Sequence, residues 1–406
     1  METPADVTWS SYSLAERDRR WAAVRKNAAE AGLDGVFVPL CVDPAQLYLS
    51  SDSKRGVRSD GRYLTLMESA AVVLPTDGRA PLVINDFGTS NHWITDARAA
   101  NRGMRGGWGA AMIQALRDAG FEHARIGVAG LQRGRVTHAR ANDGVVNHSA
   151  YAEVVQAFPN ATFVDATDVI GLARYIKSDE EIACLRYATG IAEAGVEEMV
   201  RVARPGVDTA RVYARVTVRM LELGSERHDW AFYAAPLGEE AERYTDPPLG
   251  KRLAAGDYIT NEVSAVWGGQ LAQEDQPILL GAIPESWKPL VEAQREVWEQ
   301  GLAMMKPGAR FADLIDYVDG FGPPRGLRTG ITMHGRGLGN EGPILTPATI
   351  GEGIREMQFQ AGNTFVWKPS AELPDGHARF SWGGAVVVTP TGGERLFQRN
   401  HGIVTV

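Results

Sequence analysis

Residues 256–276 read GDYITNEVSAVWGGQLAQEDQ, an apolar and β-branched run with ionisable residues set into it. Glu262 lies between Ile259 and the Val263/Val266 pair. Three later stretches repeat the arrangement: MHGRGLGNEGP at 333–343, GNTFVWKP at 362–369 and RFSWGGAVVVT at 379–389. His334 follows Ile331 and Met333, and Lys368 follows Phe365–Trp367. Polar groups in strands that otherwise favour burial are costly unless they meet one another or a ligand. Several such strands together predict a site on the face of a sheet.

The four blocks resemble the strands of the pita-bread fold, in the M24 family of creatinase, prolidase, aminopeptidase P and methionine aminopeptidase. The resemblance implies an α/β (α+β) protein, with an N-terminal creatinase-like α/β domain and a C-terminal pita-bread domain. It also implies five metal-ligand positions, ordinarily Asp, Asp, His, Glu and Glu. Here those positions hold Glu262, Gln273, His334, Lys368 and Gly383. Such a hydrolase uses several carboxylates to hold two dications and lower the pKa of a bridging water. Hard cations take oxygen ligands and zinc adds imidazole, so this set is short of donors. No metal or other cofactor is therefore expected, and Lys368 is expected to stand in for the cation. Glu274, Asp275 and Glu341 are the replacement ligands that would restore a metallopeptidase.

Composition sets the outer bounds. The 406 residues predict two domains. Hydrophobic residues make up 44% and charged residues 23%, both ordinary for a soluble globular chain. The net charge of −8, with acids and bases interspersed, argues against a nucleic-acid surface. Cys41 and Cys184 are too far apart in sequence to suggest a disulfide framework. Residues 1–20 lack the apolar core of a signal peptide, and no window is apolar for the length of a bilayer span. The expectation is a cytoplasmic protein with no membrane partner.

In residues 13–31, Ser13 and Glu16 have capping-box spacing, and Leu14, Trp21, Val24 and Ala28 share a helical face. Strands are predicted at 70–75, 81–86, 125–130 and 162–167, with a helix at 112–120. This alternation predicts an α/β layer over residues 1–172. The second domain, 173–406, opens with IKSDEEIACLRYA, in which Ser178 and Glu181 form a second capping-box pair. That stretch resembles the start of the catalytic domain in the same family. Within it RVARPGVDTARVYARV (201–216) matches MMKPGARFADLIDYV (304–318), each reading as helix, Pro-Gly turn, helix. Two such units fit a domain made of two related halves.

The family places a catalytic His near what is here Thr245, where none occurs, and His228 and Asp229 are the nearest candidates. His334 is flanked by glycines that let backbone and ligand come close, which makes it the leading acid/base candidate. Glu262 is expected to pair with Lys368 or Arg336. Gln273, Glu341, Trp367, Trp382 and Tyr244 are candidate substrate-binding residues, the aromatics as walls for a cationic or apolar group. Residues 50–63 read as a basic loop. By resemblance to creatinase-like dimers, Arg55 or Arg58 of that loop would reach the partner's site in a homodimer and hold a substrate carboxylate.

MHGRGLGNEGP resembles the block of dimethylsulfoniopropionate-cleaving members more than that of the peptidases. The expected function is a metal-independent, creatinase-like hydrolase of a C–N bond in a small amino-acid-like, ureido or guanidino molecule. The alternatives are a lyase acting on a small sulfonio- or betaine-propionate, and a catalytically dead ligand-binding protein.

Overall fold

A computed structural model describes residues 12–39, 59–67, 70–100, 107–132, 134, 146–227, 230–239, 250–376, 379–400 and 402–406. Two compact units emerge, one ending at Tyr175 and the other running Ile176–Val406.

In the first unit, strands β1 (Gly35–Val38), β2 (Ala70–Pro75), β3 (Leu82–Asn85), β4 (Ala97–Ala99), β5 (Arg125–Val128) and β6 (Thr162–Asp165) form one sheet. Its order is β4-β3-β2-β1-β5-β6, parallel at β1–β5, β5–β6 and β3–β4. Val36, Phe37, Val38 and the whole of β2 are buried, as near-continuous apolar strands require when both faces are covered. Ser13 caps the helix Leu14–Glu30 by accepting the Glu16 N–H at 3.1 Å. The predicted box stops halfway, because the Glu16 carboxylate accepts from Arg19 and Arg20 instead. The predicted loop at 50–63 needs correction too. From Ser59 the chain is helical to Thr65, with Asp60 buried and bonded to Arg174 at 2.7 Å. The helix predicted at 112–120 begins earlier, spanning Gly107–Asp118.

The second unit opens with the helix Asp179–Val202, whose capping box is complete. Ser178 Oγ accepts the Glu181 N–H at 3.2 Å, and Glu181 Oε2 accepts the Ser178 N–H at 3.1 Å. The strands are β7 (Ala231–Pro236), β8 (Asp257–Trp267), β9 (Gln270–Asp275), β10 (Ile278–Leu279), β11 (Arg328–Gly330), β12 (Met333–Gly337) and β13 (Gly339–Leu345). They continue as β14 (Thr364–Trp367), β15 (Ser370–Glu372), β16 (Arg379–Ser381), β17 (Gly383–Thr389), β18 (Gly392–Arg395) and β19 (Val404–Thr405). The large sheet runs β13-β12-β14-β17-β9-β8-β10-β19, with β7 beside β8 and β18 beside β17.

The sequence repeat appears as repeated geometry. Arg204-Pro205-Gly206 joins Asp179–Val202 to the helix Thr209–Glu222, and Lys306-Pro307-Gly308 joins Lys288–Met304 to Phe311–Phe321. Gly206 and Gly308 share φ = 86°, a left-handed conformation that glycine adopts at little cost. Their N–H groups donate to Leu253 O (2.7 Å) and Phe359 O (2.8 Å). Leu253 and Phe359 then donate back to Val207 and Ala309. Each half thus ties its helix pair to the approach of a central strand, β8 or β14.

Sheet register decides what faces the helices. Trp367, Gly384, Glu274 and Val263 lie opposite one another across β14, β17, β9 and β8. A Cβ on Gly195, in the helix Asp179–Val202, would meet Val263 and Met220, so this row faces the helical layer. Side chains alternate along a strand, so the next row points to the other face. That row is Lys368, Gly383, Asp275 and Glu262.

Candidate active site

The row facing away from the helices converges on one ammonium group. Lys368 Nζ bonds Glu262 Oε1 and lies 3.1 Å from Asp275 Oδ2. The other Asp275 oxygen accepts from Gln273 Nε2 at 3.0 Å. Lys368 and Asp275 are both buried. Burial works against the ammonium, but Asp275 and Glu262 outweigh it and hold Lys368 above the usual lysine range. Burial pushes the Asp275 carboxyl up, with Lys368 opposing the rise and Glu262 adding to it.

His334 stands opposite Val366 of β14, one strand from this cluster. Burial drives its pKa well below the ordinary value, and the cations Arg336 and Lys368 push it further the same way. The imidazole is therefore neutral near pH 7. Its Nδ1 lies 3.2 Å from Gly335 O. A carbonyl only accepts, so Nδ1 carries the proton and Nε2 keeps its lone pair. A neutral imidazole with its lone pair on Nε2 is the form a general base needs.

Glycine shapes the floor. A Cβ on Gly383 would lie 1.8 Å from Trp367 O and 2.9 Å from the Lys368 Cα. No side chain fits there on this backbone, so the position cannot supply a carboxylate. The close approach of β17 to β14 is what brings Lys368 over Asp275.

The other predicted residues distribute as follows. Glu341 accepts from Lys177 Nζ at 2.7 Å and from the Leu338 N–H at 3.1 Å, so it ties the β12–β13 turn to the residue before Ser178. Trp367 is not a substrate wall. It lies on the helical side, filling the space that a Cβ on Gly301 would take, and its Nε1 donates to Trp298 O at 3.0 Å. Trp382 is likewise buried, lining a cavity of about 290 Å³ with Arg295, Trp298 and Arg395. Glu274 faces the helices, where burial raises its pKa well above the usual range and nearby Glu193 and Asp275 add to the rise. It is on the wrong face to replace a ligand beside Glu262. Lys368, one of the two cations expected for Glu262, bonds it. His228, Asp229, Tyr244, Arg55 and Arg58 lie outside the described residues. Sequence reasoning named Asp275 only as a replacement metal ligand, whereas it meets Lys368, and it missed Lys177, the partner of Glu341.

A dication does not fit this donor set. The space between Glu262 and Asp275 holds an ammonium, Gln273 turns an N–H toward Asp275, and Gly383 has no room for a ligand. Among the described residues no group of three or more His, Cys, Asp or Glu is arranged to hold a metal. No helix among them is long and apolar enough to cross a membrane.

Comparison with known proteins places this architecture. The sequence profile described as "Metallopeptidase family M24" matches residues 183–390. Creatinase from a Bacillus species is 24% identical over 319 residues, covering 75% of this chain and 70% of the relative. A hydrolase/peptidase of Sinorhizobium fredii, y4tL, is 30% identical over 164 residues, spanning 39% of this chain and 41% of the relative. A prolidase structure from Thermococcus sibiricus superposes with a TM-score of 0.75 at 15% identity. It covers 98% of this chain and 100% of that one, and shares its fold.

Proposed function

The chain belongs to metallopeptidase family M24, and from that premise we propose that it is a hydrolase that works without the family's metal. Its substrate is a C–N bond in a small amino-acid-like, ureido or guanidino molecule. One observation carries this reading: the Lys368 ammonium bridges Glu262 and Asp275 on the face that neutral His334 also serves.

In this reading His334 Nε2 takes a proton from water as the oxygen attacks the carbonyl or amidine carbon. Lys368 stabilises the negative charge that develops on the atom doubly bonded to that carbon, as a positioned cation does. Glu262 orients the substrate's polar head. The imidazolium then returns its proton to the leaving nitrogen as the C–N bond breaks, and the neutral base is restored. The names of two relatives, creatinase and the ectoine hydrolase of Halomonas elongata, support a small nitrogenous substrate.

The test is a panel of ureido, guanidino and betaine compounds incubated in ¹⁸O-water with a chelator present. Products carrying one solvent oxygen support the reading. An unsaturated carboxylate as product, or oxygen incorporation only after metal is added, contradicts it.

A further inference from the structure

We propose that Asp275 is the residue that anchors the Lys368 ammonium, and that Glu262 is its exchangeable partner at the mouth of the site. The inference deepens the reading of Lys368 as the site's cation and rests on it.

Three observations mark Asp275 as the anchor. The first is depth: the Asp275 side chain is 8% exposed and that of Glu262 is 30% exposed, against 9% for Lys368. The second is bonding. Asp275 is held from its other oxygen by the Gln273 amide, so one oxygen is committed to the floor and the other aims at Lys368. The third is strand order. Asp275 ends β9 directly opposite Gly383, whose missing side chain lets Lys368 reach across to it.

A buried carboxylate fixed by a second hydrogen bond cannot leave its cation without stranding a charge away from water. A partly solvated one can, because water or a ligand replaces the lost partner. When a substrate's polar head takes Glu262, Lys368 therefore stays on Asp275, still charged and aimed at the reacting centre. Without Asp275 the same exchange would release the lysine. Asp275 is thus a positioning residue that acts through Lys368.

The experiment reads the lysine itself and needs no substrate. Brief labelling of the intact chain with acetic anhydride, followed by peptide mass spectrometry, gives the reactivity of Lys368 relative to the exposed Lys288. A held, shielded ammonium reacts slowly. Asp275→Asn should raise relative Lys368 labelling by about tenfold, and Glu262→Gln by less than about threefold. The reverse order, or no change in either variant, overturns the proposal. If Asp275→Asn fails to fold, a crystal structure of Glu262→Gln decides. Lys368 Nζ is expected to remain within hydrogen-bond distance of Asp275, and its departure overturns the anchor. A chain that passes these tests and hydrolyses no C–N substrate keeps the anchor and loses the catalytic reading, so the two failures are distinct.

Discussion

Glu262 and Lys368 occupy corresponding positions in the two halves of the second unit, and their side chains bond each other. Each lies six residues after a left-handed glycine, Gly256 at φ = 87° or Gly362 at φ = 88°. The residue after each glycine repeats the same turn. Asp257 Oδ2 accepts the Ala254 N–H, and Asn363 Oδ1 accepts the Gln360 N–H, both at 2.8 Å. The internal repeat therefore places one acid and one base at equivalent positions of the two halves.

Removing the base leaves the acids behind. Lys368→Met should cost about 3 kcal/mol, the lower end for breaking a buried pair because Glu262 keeps some solvent. The folded-state pKa of Lys368 is raised, so its contribution is complete below the unfolded value of about 10.4 and fades only as pH rises past it. Without Lys368 the Asp275 carboxyl rises further and a proton relieves it at low pH, so urea unfolding should show a larger deficit at pH 9 than at pH 6. Turnover should fall about 10²-fold in kcat. Near-normal turnover in this variant would remove Lys368 from the mechanism.

Gly383→Ala tests the close approach of β17 to β14. Its Cβ has no room beside Trp367 O, so about 3 kcal/mol should be lost through forced backbone movement. Thermal denaturation of the variant against wild type measures this. An unchanged midpoint would mean that the two strands leave room for a side chain.

Lys177 and Glu341 form a second buried pair, 2.7 Å apart with side chains 3% and 4% exposed. Lys177→Met alone should cost about 3–5 kcal/mol, because the buried Glu341 carboxylate loses a cation. The double variant Lys177→Met/Glu341→Leu should recover part of that loss, since it removes the buried charge but takes the acceptor from the Leu338 N–H. A double variant as unstable as the single one would assign the cost to lost packing.

Glu274 gives stability a pH slope of known sign. Its folded pKa is raised well above the usual value, first by burial and then by Glu193 and Asp275. The folded chain thus holds a proton that the unfolded chain has lost. Stability from this group is present at low pH and is lost as pH rises from about 4.3 through the folded pKa, by about 1.4 kcal/mol for each pH unit between the two. Glu274→Gln cannot ionise, so its unfolding free energy should decline less between pH 5 and pH 8. Equal slopes in both proteins would contradict the assignment.

Much of this site can be read from alternation alone. Glu262, His334 and Lys368 stand out as polar residues in apolar strands, and the Ser178–Glu181 box marks the opening helix without ambiguity. The same period of two places Trp367 on the opposite face from Lys368, yet its bulk and position suggest a substrate wall. Asp275 is harder to find, because family spacing points to Gln273. Whether the carboxamide or the carboxylate meets the lysine depends on the pairing of β9 with β17, a relation between residues more than a hundred positions apart. Lys177 is harder still. Its sequence context is a helix start, and its partner Glu341 lies 164 residues away.

An ammonium in the place of a dication is tested most directly by elemental analysis of the purified chain, followed by titration calorimetry of the chelator-treated protein with Mn²⁺, Co²⁺ and Zn²⁺. The expected result is no stoichiometric transition metal and no saturable binding at micromolar concentration. One or two ions per chain, bound tightly and lost when Glu262 or Asp275 is replaced by its amide, would contradict it.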